Sequence, residues 1–153
     1  MAITVDVAVD TRAGKIGTRC VIRDYRGWVI ALKIGVKNYS FSPTLAEAFA
    51  ISGGLRLAAD LGLERVVVQS DCREVVLAVK NDNILSTELG TILDDIKVRR
   101  NAFSSFSISF LPRSCNVVAH NMARYALGFT SNSRWLGLVP PCALQEVIKD
   151  QSL

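Results

Sequence analysis

The sequence predicts an α/β domain: a five-stranded mixed sheet with helices on both faces, in the order β-β-β-α-β-α-α-β-α. Three observations carry this. Ile3, Val5, Val7 and Val9 interleave with Thr4, Asp6, Ala8 and Asp10, a period of two that belongs to a strand. A long, almost wholly apolar helical stretch follows Ser42-Pro43-Thr44 and stops at Gly62, a natural C-cap glycine. Beyond it, helical patterns alternate with two short strand patterns, at Val66-Val67-Val68 and at Phe106 to Phe110.

Taken in order, the first strand passes through a turn bracketed by Gly14 and Gly17 into a second, Arg19 to Arg23. Asp24-Tyr25-Arg26-Gly27 is turn chemistry, and Trp28 to Ile34 gives a third strand, so the first three strands form a meander. The helix after Thr44 is apolar nearly all round (Leu45, Ala46, Ala48, Phe49, Ala50, Ile51, Leu55, Leu57, Ala58), which marks it as central and buried. Val66-Val67-Val68 is an unbroken apolar strand, expected to be covered on both faces. Helices are expected over Cys72 to Lys80, over Glu88 to Arg100 and, after the fifth strand, over Val117 to Leu127. Residues 1–127 form the domain on this reading. Residues 128–153 read as a C-terminal appendage, with room for a short helix at Ala143 to Lys149. There is no internal repeat and no linker.

With 50% hydrophobic and 21% charged residues, the chain can build a packed core and is not a disordered one. Cys20, Cys72, Cys115 and Cys142 are scattered, with no C-x-x-C pair and no nearby histidine. That spacing argues against zinc and for reduced thiols inside a cell, in nucleus or cytoplasm. The first residues run straight into a strand pattern rather than a signal peptide, and no apolar run approaches the ~20 residues of a membrane helix. A soluble monomer without membrane contact is expected.

The net charge of +4 is unevenly spread. Acids outnumber bases nine to four from Phe41 to Asp95, whereas Lys97 to Gln145 contains no acid and carries Lys97, Arg99, Arg100, Arg113, Arg124 and Arg134. The first forty residues are also basic. An acidic middle between basic ends suits a phosphate-binding surface around a metal site; an unevenly charged solvated surface would give the same pattern.

Three carboxylates stand out, each with two readings. Asp6 in mid-strand is either costly to bury, and hence functional, or simply on an exposed strand face. Glu47 completes Thr44-Leu45-Ala46-Glu47, a capping box, and the spacing alone favours that cap. Asp71 follows a buried strand and is either the N-cap of the next helix or a ligand group at the carboxyl end of the sheet.

The surrounding text adds more. Asp6 in the first strand, Ala46-Glu47-Ala48-Phe49-Ala50 with Gly54-Leu55, and Ser70-Asp71-Cys72 resemble the type 1 ribonuclease H superfamily. With Val21-Ile22-Arg23-Asp24-Tyr25-Arg26-Gly27, and Pro112-Arg113 through Asn116, Ala119-His120 and Ala123, the likeness narrows to the plant ribonuclease H-like (reverse-transcriptase-like) domain family and spans Ile3 to Leu127. The resemblance implies a ribonuclease H-like fold and a two-metal hydrolase acting on the RNA strand of RNA–DNA hybrids. Carboxylates there hold two divalent ions about 4 Å apart. Mg²⁺ or Mn²⁺ would be bound by Asp6, which bridges the ions, and by Glu47 and Asp71. Asp6, Glu47, Asp71 and His120 are the implied catalytic set. Arg113 and Asn116 match the family pattern and, with Arg99 and Arg100, are the candidate nucleic-acid contacts.

The chain also departs from that pattern. Where active members carry a fourth carboxylate it has Ala119-His120, its only histidine, which weakens the expected second metal site. His120 is then a surrogate ligand, a proton carrier, or a helix residue facing its neighbours. Val7 follows Asp6 where the nucleases favour glycine, and the loop Pro112-Arg113-Ser114-Cys115 is short and lacks the histidine of many bacterial members. Asp10 is a turn residue sooner than a substitute ligand. Three functions follow: a metal-dependent hybrid ribonuclease, a nucleic-acid-binding module with weak or lost catalysis, and an interaction domain in which both boxes are only caps.

Overall fold

The structure is a computed structural model that describes residues 1–10, 14–37, 42–81, 87–112 and 133–139. The expected meander is present: β1 (Ala2–Asp10), β2 (Lys15–Arg23) and β3 (Val29–Lys37) pair antiparallel in sequence. Then follow α1 (Pro43–Asp60), β4 (Arg65–Ser70), α2 (Arg73–Asn81), α3 (Thr87–Arg100) and β5 (Ser105–Phe110). The sheet order is β5-β4-β1-β2-β3-β6, with β4 parallel to both β1 and β5, so the sheet is mixed.

All five expected strands are there, and a sixth is added. β6 (Ser133–Val139), within the stretch taken from sequence as an appendage, pairs antiparallel with β3 and forms one edge of the sheet. Its Ser-Arg-Trp-Leu-Gly-Leu-Val text lacks a clean alternation of polar and apolar residues; a ladder along β3 supplies what periodicity does not. The expected helices at Val117 to Leu127 and Ala143 to Lys149 lie outside the described residues.

The described helices pack on one face of the sheet. α1 lies against β1, β2 and β4, α2 against β5, and α3 against α1. Ile3, Val5, Cys20, Ile22, Ala31, Val66, Val68 and Ile108 meet Ala48, Ile51, Leu55, Val76, Leu93 and Ile96 in one core. Val21, Leu32 and Ile34 alternate onto the opposite face and are also buried, so β2 and β3 are covered on both sides. β4 is not: Val67 is 38% exposed. The unbroken Val-Val-Val run overstated its burial: Val66 and Val68 face the described helices, whereas Val67 points to the other side of the sheet.

Two devices set α1. At its end, Gly62 (φ 72) takes the left-handed conformation while its N–H bonds to Ala59 C=O and the Leu63 N–H to Ala58 C=O, closing the last turn. In its middle, Gly54 lets helix and sheet approach. A Cβ there would sit 3.1 Å from Cys20 Sγ and 3.1 Å from Ile3 Cγ2. Gly53 faces differently, since a Cβ would touch only Lys33 Nζ, at 3.7 Å.

At the other pole, Asp24 builds the β2–β3 turn. Its carboxylate accepts from the backbone N–H groups of Arg26 (2.9 Å) and Trp28 (3.0 Å) and from the Arg26 guanidinium, which lies over the Trp28 ring. Burial pushes this carboxyl up, but the bonds from the Arg26 side chain and from the Trp28 and Arg26 backbones prevail and hold it below its ordinary value of 3.8.

Two outcomes are expected. Gly54→Val lowers unfolding free energy by about 1–3 kcal/mol through overpacking, whereas Gly53→Ala leaves it unchanged or raises it by up to about 1 kcal/mol; urea denaturation reads both. A carboxyl depressed in the folded state stabilises the fold above its unfolded value and stops doing so as pH falls through the folded value. Asp24→Ala should therefore melt below the parent at neutral pH, and the gap should narrow as the pH falls below about 4 and then close.

Candidate active site

The three candidate carboxylates come from β1, from α1 and from the turn after β4, and α1 packs against both strands. Register places two of them. Thr4 of β1 pairs with Gln69 of the parallel β4, and Asp6 and Asp71 each lie two residues further on. The register therefore brings the backbone of Asp6, in the middle of β1, next to the carboxyl end of β4, where Asp71 follows and where open α/β sheets bind ligands. The side chain of Asp6 lies outside what is described.

Glu47 arrives from α1, and here the spacing misled. Ser42, not Thr44, is the N-cap: its hydroxyl accepts the Leu45 N–H at 3.2 Å, with Pro43 opening the first turn. A capping box from Ser42 would end at Leu45, so Glu47 lies past its reach. It is instead 2% exposed and accepts a 2.7 Å hydrogen bond from the hydroxyl of Ser70, itself fully buried at the end of β4. Ser70 Oγ in turn accepts the Cys72 N–H at 3.1 Å, which fixes the sharp turn from β4 into α2. One serine thus ties Glu47 to the segment that carries Asp71.

Asp71 is half-buried, and the structure also moves it off the cap. The Val76 N–H bonds to the Cys72 carbonyl, so Cys72 holds the N-cap position and Asp71 precedes it. Glu74, which seemed to complete a second box, accepts from the Thr44 hydroxyl of α1 at 3.1 Å and clasps the two helix starts together. Burial pushes the Cys72 thiol above its ordinary value, the nearby Glu47 and Glu74 charges add to this, and hydrogen bonds from Val75 and Thr44 oppose it.

Two residues of consequence carried no assigned role in the sequence reading. Ser70 belonged to a motif, and a serine closing an apolar strand beside an aspartate was the available signal. Arg19 gave none, because β2 alternates without it. It is completely buried and is the cross-strand partner of Asp6 in the β1–β2 register. A guanidinium stays protonated, so a fixed positive charge stands on the strand next to Asp6.

The candidate nucleic-acid residues divide. Arg99 bonds through Nε to Asp95 (2.9 Å) and Ser52 (3.2 Å), on a part of α1 beyond Glu47 and away from Asp71. Arg100 is half-buried at the end of α3. Arg113, Asn116 and His120 lie outside the described residues. Among the described residues no group of three or more His, Cys, Asp or Glu side chains gathers closely enough to hold a metal ion; the implied trio has Asp6 as its third member. No described helix is long and apolar enough to cross a membrane.

The comparisons with known proteins agree with this frame. The reverse transcriptase-like family matches residues 4–126. The chain belongs to that family. No curated protein matches the sequence. Among solved structures, it is similar to ribonuclease H1 of Halobacterium salinarum, with TM-score 0.72 and 20% identity over 80% of this chain and 96% of the other. The N-terminal RNase H domain of a Mycobacterium tuberculosis protein superposes with TM-score 0.74 and 19% identity, covering 82% and 93%. An RNase H1 isolated from compost, in complex with an RNA/DNA hybrid, gives TM-score 0.70 and 18% identity, covering 77% and 89%. The fold is that of ribonuclease H.

The tie between Glu47 and β4 can be broken. Ser70→Ala leaves a buried carboxylate short of a donor and should lower unfolding free energy by about 1–3 kcal/mol, read by urea denaturation.

Proposed function

We propose that this chain is a ribonuclease H-type hydrolase acting on the RNA strand of RNA–DNA hybrids. The observation that carries the reading is Glu47: a carboxylate buried in the most apolar helix, off the cap its spacing suggested, and held by Ser70 beside Asp71. A buried charge is costly unless a partner or a cation accounts for it. The oxygen donors of Asp6, Glu47 and Asp71 suit Mg²⁺ or Mn²⁺. Such ions, when bound, lower the pKa of water and neutralise the leaving oxygen of a phosphodiester.

The chain's own residues orient and charge the site. Ser70 fixes the Glu47 carboxylate, and the Cys72 N–H fixes Ser70, so the ligand oxygens are held before any cation arrives. Arg100 and Arg113, with the neutral amide of Asn116, would meet the phosphates, and His120 would serve as surrogate ligand or proton carrier. The described thiols, Cys20 and Cys72, are free, which suits a reducing compartment, nucleus or cytoplasm.

A second reading, a module that binds hybrids without turning them over, has one observation in its favour. Arg19, buried opposite Asp6 in the register, brings a permanent positive charge to the neighbourhood in which cations would have to bind.

Incubating a labelled hybrid with the protein separates the two. Cleavage is expected in Mn²⁺ or Mg²⁺ and not in excess chelator. Asp6→Asn and Glu47→Gln should each reduce it by at least about 100-fold, the scale of several kcal/mol of charge stabilisation. Salt-sensitive binding with no cleavage would pass the case to the module; cleavage that survives chelation would end the metal-dependent reading.

A further inference from the structure

A cleft of about 310 Å³ opens beside α1, between α3 and the strands β2 and β3, and none of its described lining residues belongs to the carboxylate cluster. Lys33, Arg56 and Arg99 line it against Asp95, the one carboxylate among its described lining residues. That carboxylate is already engaged: the Ser52 hydroxyl donates to it, and so does Arg99 Nε. These bonds hold the Asp95 carboxyl below its ordinary value, with the Arg99 and Arg56 charges adding to the effect. Asp95 therefore anchors the cleft and leaves its charge positive.

The anchoring matters for Arg99. Every hydrogen bond it makes among the described residues runs through Nε, to Asp95 and Ser52. Among the described residues neither terminal amino group of the guanidinium has a hydrogen-bond partner, on a side chain held by its Nε bonds. The side chain of Arg56, one turn beyond Ser52 on α1, makes no hydrogen bond among the described residues. Two guanidinium forks with donors to give, around a cavity with one committed acid, call for an anion with several acceptor oxygens. A carboxylate would occupy a single fork. Phosphate has oxygens for both and, as a monoester, close to two negative charges near neutral pH. Phe49 and Val36 add apolar wall, and the volume exceeds a bare phosphate's, so the group arrives on a larger organic body.

We propose that this cleft is a binding site for the phosphate of an organic phosphate, clamped by Arg56 and Arg99 and separate from the carboxylate cluster. The proposal does not rest on nuclease activity: a chain that never cleaves a hybrid would still carry the site.

The full chain, labelled with ¹⁵N, is titrated with adenosine monophosphate, with inorganic phosphate, and with a short oligonucleotide that lacks a terminal phosphate. The Gly53 amide and the Arg99 Nε–H are followed. Saturable shifts are expected with adenosine monophosphate, unchanged in excess chelator, and weakened at least about tenfold in Arg56→Ala and in Arg99→Gln. Arg56 is exposed, so Arg56→Ala keeps the fold even if Arg99→Gln does not. If the oligonucleotide shifts the same signals and competes, the source is a strand's phosphodiester; if only adenosine monophosphate or inorganic phosphate does so, it is a free or terminal phosphate. No saturable shift with any of the three, or shifts that persist in Arg56→Ala, would overturn the proposal.

Discussion

Helix α1 lies between the sheet on one side and α3 and α2 on the other, and Gly54 brings its backbone close to Cys20 and Ile3. A polar group on the buried faces of such a helix must be answered from within the protein. Glu47 is answered by Ser70, and Ser52 by Asp95 and Arg99. Both special regions of the molecule, the carboxylate cluster and the cationic cleft, are consequences of polar residues placed on a helix that the core surrounds.

The Ser70 hydroxyl does two things through one oxygen. It accepts the Cys72 N–H, which shapes the strand-to-helix turn, and it donates to Glu47. Cys72 therefore takes the cap that Asp71 would otherwise supply, and Asp71 stays at the strand's carboxyl end. Thr44 and Glu74 tie the starts of α1 and α2 together next to this turn. Local capping chemistry, which competes with function when the residues are read singly, is carried here by neighbours, and the carboxylates are released from it.

Charge is arranged on the same plan. The acidic middle of the chain and its basic flanks interleave in space because β1, β2 and β3 come from one flank while α1 and β4 come from the middle. Arg19 is the sharpest case: register alone puts a buried guanidinium opposite Asp6. In a low-dielectric sheet such a charge weighs directly on how strongly cations are held nearby. It is the feature that most distinguishes this chain's site from a bare trio of carboxylates.

The alternation of β1, the glycine-ended apolar helix and the amphipathic α2 were legible because each repeats a pattern that burial on one face or on all sides imposes. The order of strands and the meander followed from them. β6 was not legible, since its seven residues gain their strand only from pairing with β3, and the exposed face of β4 was hidden in a run of valines. For the site, the sequence by itself determined which carboxylates to watch and in which elements they stand. It could not decide between cap and ligand for Glu47 and Asp71, because both uses place the same residue at the same spacing. Tertiary structure made that decision by supplying Ser42 and Cys72 as the caps and Ser70 as the partner. It alone showed Arg19 and Arg99 to be buried or anchored beside residues far away in the chain, since contacts between distant segments leave no local period to read.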